Sequence, residues 1–164
     1  MTDEAILFLT SKGGKLKLNH SVILKIKEYR QNHFLKPEAG GILLGRHIIE
    51  SKNIIVDSIS EPMTEDKQNR FRFFRTAKPH QKVIDKAWHE SHGAYNYLGE
   101  WHTHPESLPV PSNIDLNDWK RKLKQDTFYG NYLYFLIVGT QKIIVWEGCK
   151  LTGNITKLQR STTD

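Results

Sequence analysis

The residues of this chain whose types and spacing could support chemistry are concentrated between residues 99 and 118, which read GEWHTHPESLPVPSNIDLND. Within this stretch His102 and His104 are two residues apart, and in a β-strand residues at that spacing point to the same face. Their Cα atoms then lie about 6.6 Å apart, so two imidazoles can converge on one zinc ion at Zn–N distances of about 2.0–2.1 Å. The spacing predicts part of a metal site at the end of a strand.

A third ligand is available beyond the proline-rich loop that follows. Ser112 and Asp115 are three residues apart at the start of a predicted helix and share a face, so the carboxylate of Asp115 could turn back towards the two histidines. Two histidines and one aspartate would leave the fourth position of zinc open for water, which is the arrangement of a catalytic site. Zinc brings the pKa of bound water to about 7 and makes hydroxide available near neutral pH.

Hydrolysis at such a site needs two further groups. One is a carboxylate that takes a proton from water and returns it to the leaving nitrogen, and Glu38, at the mouth of a glycine-rich predicted strand, could supply it. The other is a donor directed at the developing oxyanion, a role open to the hydroxyl of Ser112. The candidate site therefore consists of three metal ligands, His102, His104 and Asp115, and two catalytic residues, Glu38 and Ser112.

Each of these features also has a simpler interpretation. A His-x-His pair on an outward strand face is usually polar surface, and Ser112 with Asp115 is also the pattern of a helix N-cap followed by a favourable first-turn acid. The single cysteine, Cys149, is interpreted as buried filler and not as a nucleophile. Five other histidines show no comparable convergence and are interpreted as surface or satisfied core residues: His33, His47, His80, His89 and His92.

The net charge of +6 arises from 24 Lys and Arg against 18 Asp and Glu, and the excess is spread along the chain. Its densest cluster, residues 120–124, is typical of the solvated face of a helix, and no basic–aromatic pattern favours stacking on nucleic acid. Gly40, Gly41 and Gly45 lack the order of a phosphate-binding loop. The charge pattern therefore does not favour nucleic acid as a partner.

The composition is that of a globular protein. The 164 residues are 38% hydrophobic and 26% charged, which is enough for one domain over residues 1–164 and excludes a disordered tail or a collagen-like fibre. No apolar run reaches the roughly 20 residues of a membrane span, and the N-terminus has acids where a signal peptide has basic residues. We therefore expect a cytoplasmic protein that does not associate with membranes, and a single cysteine agrees with a reducing compartment.

Hydrophobic periodicity predicts a mixed α/β fold. Helical stripes begin at His20, with Asn19 or Ser21 as the N-cap, and span residues 80–92 and 113–124. Because strands and helices do not alternate strictly, we expect a mixed central sheet with helices packed on it. The remaining apolar runs predict strands at residues 5–9, 39–47, 54–59, 71–75, 97–103, 132–138 and 143–146.

These residues together resemble the JAMM (MPN-plus) metalloprotease family. The resemblance covers nearly the whole chain and implies a cytidine-deaminase-like αβα fold. It also implies one zinc ion on the two histidines and the aspartate, Glu38 as general acid/base, and Ser112 stabilising the tetrahedral intermediate. The matching pattern is Glu38-x-x-Gly41-x-Leu43-x-Gly45, followed by His102-x-His104, seven residues, Ser112, two residues and Asp115.

The resemblance further implies a substrate, which is an isopeptide or peptide bond after the C-terminal glycine of ubiquitin or a ubiquitin-like protein. Few residues separate Glu61 from Arg70, and the loop after His104 is short. The chain is therefore similar to the small bacterial members, especially those that accompany CBASS anti-phage operons. Those members resemble deubiquitinases that reverse the C-terminal conjugation of a cGAS-like nucleotidyltransferase.

Other functions fit parts of the same pattern. A peptidase that processes a sulfur-carrier or ubiquitin-like protein would use the same mechanism on another partner, and a nucleic-acid-processing relative would draw on the positive charge. A scaffold domain could keep the fold without catalysis, but all five functional positions match the motif and favour an enzyme. We further expect the substrate to lie as an extended peptide alongside the metal-bearing strand, with a small residue before the scissile bond.

Overall fold

The elements of the chain are given by a computed structural model, which describes residues 4–162. Its helices are α1 His20–Glu28, α2 Ala77–Glu90 and α3 Asn113–Gln125. None of these helices within the described range is long and apolar enough to cross a membrane. The strands are β1 Ile6–Leu9, β2 Lys15–Leu18, β3 Gly40–His47, β4 Ile54–Ile59, β5 Lys67–Asn69, β6 Arg72–Phe74, β7 Asn96–Thr103, β8 Tyr132–Val138, β9 Ile143–Cys149, β10 Ile155–Lys157 and β11 Gln159–Arg160.

Nine of these strands form one sheet in the order β10-β9-β8-β7-β3-β4-β2-β1-β11. The pairs β7–β8 and β2–β4 are parallel and the other neighbouring pairs are antiparallel, so the predicted mixed sheet is confirmed. Only Leu158 separates β10 from β11, although these two strands lie at opposite edges of the sheet. The sheet therefore curls until its edges approach each other, and β7 lies in its interior.

Helices cover both faces of this sheet. Helix α1 contributes Val22, Ile23 and Ile26 to one buried cluster, and α2 and α3 contribute to a second cluster on the other face. In the second cluster the indole of Trp119 stacks on the ring of Phe135, with centroids 4.7 Å apart. The layers are therefore helix, sheet, helix, as the resemblance to the JAMM family implies.

Four short strands, β2, β5, β10 and β11, were not predicted from the sequence. Each is two to four residues long, too short for its periodicity to stand out from a loop. Strands β5 and β6 form a separate two-stranded hairpin, so the predicted strand at 71–75 does not join the main sheet. Helix α2 begins at Ala77, three residues before the predicted start, and Asn19 is the N-cap of α1.

Strands β3 and β4 approach each other closely at Gly41. A Cβ atom at this position would lie 2.1 Å from the carbonyl oxygen of Ser60 and 2.7 Å from its Oγ. Both distances are too short for a methyl group. The nearest atom belongs to backbone that is held in the sheet, so it cannot easily move aside. The glycine of the motif is therefore required by the contact of one backbone with the other.

We predict that Gly41→Ala lowers the free energy of unfolding by about 3 kcal/mol or more, because the side chain overpacks a buried strand contact. Gly130→Ala is the matched control, since Gly130 has a φ of +76° and no neighbour within 4 Å of a Cβ. Backbone strain alone should cost the control about 1–2 kcal/mol. Urea denaturation of both variants measures the two losses, and equal losses would contradict the packing argument.

Candidate metal centre

The two histidines of the motif lie at the end of the interior strand, as predicted. His102 belongs to β7, opposite Gly40 of β3 and Ile137 of β8. His104 directly follows the strand, and its backbone N–H donates to the carbonyl of Val138 at 3.0 Å. Because the strand alternation continues to this point, both imidazoles fall on one face, and their Nε2 atoms are 3.0 Å apart. Both side chains are buried.

Asp115 reaches the histidines from the first turn of α3. Its Oδ1 is 3.4 Å from Nε2 of His102, and its Oδ2 is 3.2 Å from Nε2 of His104. The same Oδ2 accepts the backbone N–H of Ser112 at 2.8 Å, while the hydroxyl oxygen of Ser112 accepts the N–H of Asp115 at 3.1 Å. This reciprocal pair is a capping box. The interpretation of the pair as a helix cap is therefore confirmed, and the cap itself directs the carboxylate of Asp115 at the histidines.

Glu38 completes the cluster from the segment that leads into β3. Its backbone N–H donates to the carbonyl of Asn69 at 2.5 Å. The next residue, Ala39, donates to the hydroxyl of Thr103 and accepts the N–H of Thr103, both at 2.9 Å. A carboxylate oxygen of Glu38 and one nitrogen of each motif histidine all lie within 4.8 Å of one another. The two strands that meet here thus bring Glu38 beside the His-x-His pair.

Burial and neighbouring charges separate the two carboxylates of the cluster. Burial raises the pKa of Glu38 to about 7, and the opposing effect of the two histidines does not cancel it. Burial also acts to raise the pKa of Asp115, but hydrogen bonds with His102 and His104 outweigh it and hold that pKa well below its ordinary value. Asp115 therefore stays ionised at neutral pH, whereas Glu38 gains and loses a proton there.

The spacing of these donors fits a tetrahedrally coordinated metal ion. Bonds of about 2.0–2.1 Å place neighbouring ligand atoms of a tetrahedron about 3.3 Å apart. The distances among the two imidazole nitrogens and the Asp115 carboxylate, 3.0, 3.2 and 3.4 Å, are close to that value. Each neutral imidazole also presents a lone pair on one ring nitrogen, which a cation can accept. The cluster therefore has the donor types and the spacing of a metal site.

All five predicted residues line one cavity of about 610 Å³, together with walls that were not predicted. One wall is the β5–β6 hairpin, which contributes Phe73. The other is a charged group in which Lys122 donates to Glu100 and Asp118, with Arg75 beside Glu100. Glu100 lies two residues before His102 on β7. The alternation that places the motif histidines on one face could therefore have predicted Glu100 on the same face. The hairpin had no such signal, because only tertiary contacts bring it here.

The structure corrects two expectations about other residues and confirms a third. Cys149 is half-exposed at the end of β9 and is not buried filler. Lys122 does not belong to a solvated helix face, because its ammonium group is buried against two carboxylates. His80 is a satisfied core histidine, since both of its ring nitrogens have partners. Three more of the histidines that were interpreted as surface or core residues are exposed: His33, His89 and His92.

A central mixed sheet between helices, with two histidines and two carboxylates at the end of its interior strand, is consistent with a hydrolase domain that has a metal site. The family described as prokaryotic homologs of the JAB domain matches residues 21–148, and the chain belongs to this family. The resemblance to the JAMM proteins is thereby confirmed.

Two relatives are similar to this chain over nearly their whole length. A protein from Escherichia coli is 32% identical over 160 residues, which are 98% of this chain and 97% of the relative. A protein from Vibrio cholerae is 34% identical with the same coverage of both chains. Each bears the name CD-NTase/cGAS isopeptidase. The solution structure of a Desulfitobacterium hafniense protein has a TM-score of 0.57 at 20% identity, covers 85% of this chain and 87% of its own, and supports the fold.

We predict that Glu38 makes the stability of the metal-free protein depend on pH. Its pKa is raised from 4.5 to about 7 on folding, so between these values the folded protein holds a proton that the unfolded chain has lost. The free energy of unfolding should therefore fall as pH rises through this window, by at most about 3 kcal/mol. Urea denaturation of metal-stripped wild type and Glu38→Gln at pH 5 and pH 8 tests this, and parallel losses in the two proteins would contradict it.

Proposed function

We propose that this chain is a zinc-dependent isopeptidase or peptidase that hydrolyses the bond after a C-terminal glycine, or similarly small residue, of a conjugated protein. The observation that carries this proposal is the convergence of His102, His104 and Asp115 at 3.0–3.4 Å beside the buried carboxylate of Glu38. The names of the two nearly full-length relatives support the same reaction class, the hydrolysis of an isopeptide bond.

His102, His104 and Asp115 would hold the zinc ion. When bound, zinc supplies the Lewis acidity that makes water a nucleophile near neutral pH. Ligating histidines usually donate their other ring N–H to an acceptor, and Nδ1 of His104 is buried with no such partner among the described residues. Oε1 of Glu106 lies 3.9 Å from this nitrogen on a side chain that is 48% exposed, and Glu106 is the acceptor that we propose.

Glu38 and Ser112 would carry the proton transfer and the charge stabilisation. A carboxylate with a pKa of about 7 takes a proton from water and returns it to the leaving amine at the same pH. Because Asp115 already lies at ligand spacing from both imidazoles, Glu38 is free for this role. The hydroxyl oxygen of Ser112 accepts the N–H of Asp115, so its own hydrogen remains available to an oxyanion.

The recessed position of the donors favours a small residue before the scissile bond. His102 and His104 are 7% and 8% exposed, so the carbonyl has to enter the cavity, and glycine has no Cβ to obstruct it. The expectation that the substrate pairs with the metal-bearing strand is wrong, because β7 has β3 on one side and β8 on the other. The substrate backbone instead lies against the β5–β6 hairpin and the loop at residues 105–112.

The partner we propose is a CD-NTase, a cGAS-like nucleotidyltransferase, joined through its C-terminus to another protein in the cytoplasm. The relatives' names support this choice. A sulfur-carrier or ubiquitin-like protein would present a similar small C-terminal residue to the same site and is the second candidate. Convergence of all five motif residues on one cavity favours either reaction over a silent scaffold.

We predict one zinc ion per chain in the purified protein, measured by inductively coupled plasma mass spectrometry. His102→Ala and Asp115→Asn should each lower zinc affinity by at least about 100-fold, because each removes a ligand. Glu38→Gln is the matched carboxylate variant and should keep its zinc. If Glu38→Gln loses the metal while Asp115→Asn keeps it, the third ligand is Glu38 and our assignment is wrong.

We predict cleavage of a fusion in which the C-terminus of a cGAS-like nucleotidyltransferase precedes a reporter protein. Glu38→Gln should lower the rate about 10²–10⁴-fold and Ser112→Ala about 10²–10³-fold. Glu28→Gln, at an exposed position of α1, should match the wild type. Changing the residue before the scissile bond from glycine to leucine should abolish cleavage.

If the leucine fusion is cleaved as fast as the glycine fusion, the argument that the recessed donors require a small residue before the scissile bond is wrong. Cleavage of a sulfur-carrier fusion in preference to the nucleotidyltransferase fusion would select the second partner. Failure of the metal-loaded wild type on both fusions would contradict the proposed reaction.

A further inference from the structure

A buried row of three side chains lies behind the metal centre and has no part in the proposed chemistry. Nε2 of His80 is 2.7 Å from Oδ2 of Asp66, and Nδ1 of His80 is 2.6 Å from Oγ of Ser60. His80 is 1% exposed and Ser60 is 3% exposed. No substrate carbonyl can reach Ser60, so the row is not a nucleophilic triad. Both ring nitrogens of His80 thus have a partner within the row.

The Asp66 end of this row closes the base of the segment that carries the β5–β6 hairpin. Oδ2 of Asp66 accepts the N–H of Met63 at 2.8 Å, and Oδ1 accepts the N–H of Thr76 at 2.7 Å. These two residues lie on either side of the hairpin in the chain. The buried carboxylate of Asp66 therefore links the segment before the hairpin to the segment after it.

The Ser60 end is fixed to the two strands that carry the site. Oγ of Ser60 accepts the N–H of Ile42 in β3 at 2.9 Å. The carbonyl of Ser60 accepts the indole N–H of Trp101 in β7, also at 2.9 Å. Trp101 directly precedes His102. The row thus connects the base of the hairpin to the backbone that positions Glu38 and the metal ligands.

The hairpin itself contacts the catalytic segment. The carbonyl of Asn69 accepts the N–H of Glu38, and the ring of Phe73 packs so tightly on Gly40 that a Cβ there would lie 2.6 Å from it. A further hydrogen bond to the hairpin segment comes from the side-chain amide of Gln31, which donates to the carbonyl of Arg70 at 2.7 Å. Any movement of the hairpin base therefore displaces the wall of the cavity and the backbone of Glu38.

We propose that His80 is a positioning residue, which fixes the β5–β6 hairpin against Glu38 through Asp66 on one side and Ser60 on the other. Its effect on catalysis rests on the proposed function, whereas its effect on the hairpin does not. Because hydrogen bonds of Asp66, Asn69 and Arg70 anchor the base of the hairpin, loss of the row should loosen it locally and leave the sheet intact.

The test compares His80→Leu, which removes both hydrogen bonds, with His80→Gln, whose amide can still donate to Asp66. His89→Leu, at an exposed position of the same helix, is the matched control. In His80→Leu the amides of Glu38 and residues 67–74 should exchange with deuterium at least about tenfold faster, because loss of even one of the two buried hydrogen bonds allows a change of that size. Amides of β8 should not change. With zinc content unaltered, kcat should fall about tenfold with little change in KM, and His80→Gln should recover most of it.

Three results would overturn the proposal: unchanged exchange in the hairpin, equal acceleration in β8, or a loosened hairpin with an unchanged kcat. If His80→Leu does not fold, Asp66→Asn keeps the shape of the row and is judged by the same criteria. A wild type that cleaves neither fusion contradicts the proposed function, and hydrogen exchange then still decides whether His80 holds the hairpin.

Discussion

The constraint on which this structure depends is the gathering of four titratable side chains around one point at the end of β7, three of them buried and the fourth, Asp115, half-buried. Two carboxylates and two imidazoles taken from water cost free energy unless charges and hydrogen bonds compensate them. Asp115 is compensated by the histidines and by its helix cap, so it stays ionised. Glu38 is compensated less, and burial raises its pKa to about 7. The cluster therefore holds two carboxylates of different function, one suited to a cation and one to proton transfer.

The surrounding fold holds these side chains by two different means. The strands under the histidines and the helix that carries Asp115 are packed by apolar clusters on both faces of the sheet, and Trp119 and Leu123 seat α3 against it. The wall beside Glu38 is held by hydrogen bonds from Asp66, His80 and neighbouring backbone, together with the packing of Phe73 on Gly40. Apolar packing is dense and tolerates little displacement, whereas a polar anchor can open locally. The proposed metal ligands thus lie on the tightly packed part of the fold, and the proposed substrate wall lies on a part that can open locally.

One local motif serves both the helix and the site. The capping box of Ser112 and Asp115 satisfies two backbone N–H groups at the start of α3 and in doing so fixes the rotamer of the carboxylate that faces the histidines. The helix N-terminus also favours a negative charge there. The cap is therefore compatible with the proposed role of Asp115 as a metal ligand, since Oδ2 accepts the cap N–H while still facing His104, and Oδ1 faces His102.

The sequence by itself determined the parts of the site that depend on neighbours within a few residues. The period of two placed His102 and His104 on one face, and a spacing of three placed Ser112 with Asp115, because local backbone geometry decides both. Glu38 was indicated by the family pattern, but its position beside the histidines, the hairpin wall and the burial of Lys122 were decided by the tertiary structure. Those contacts join segments far apart in the chain, so their free energy comes from strand pairing and packing across the whole sheet, which no local pattern contains.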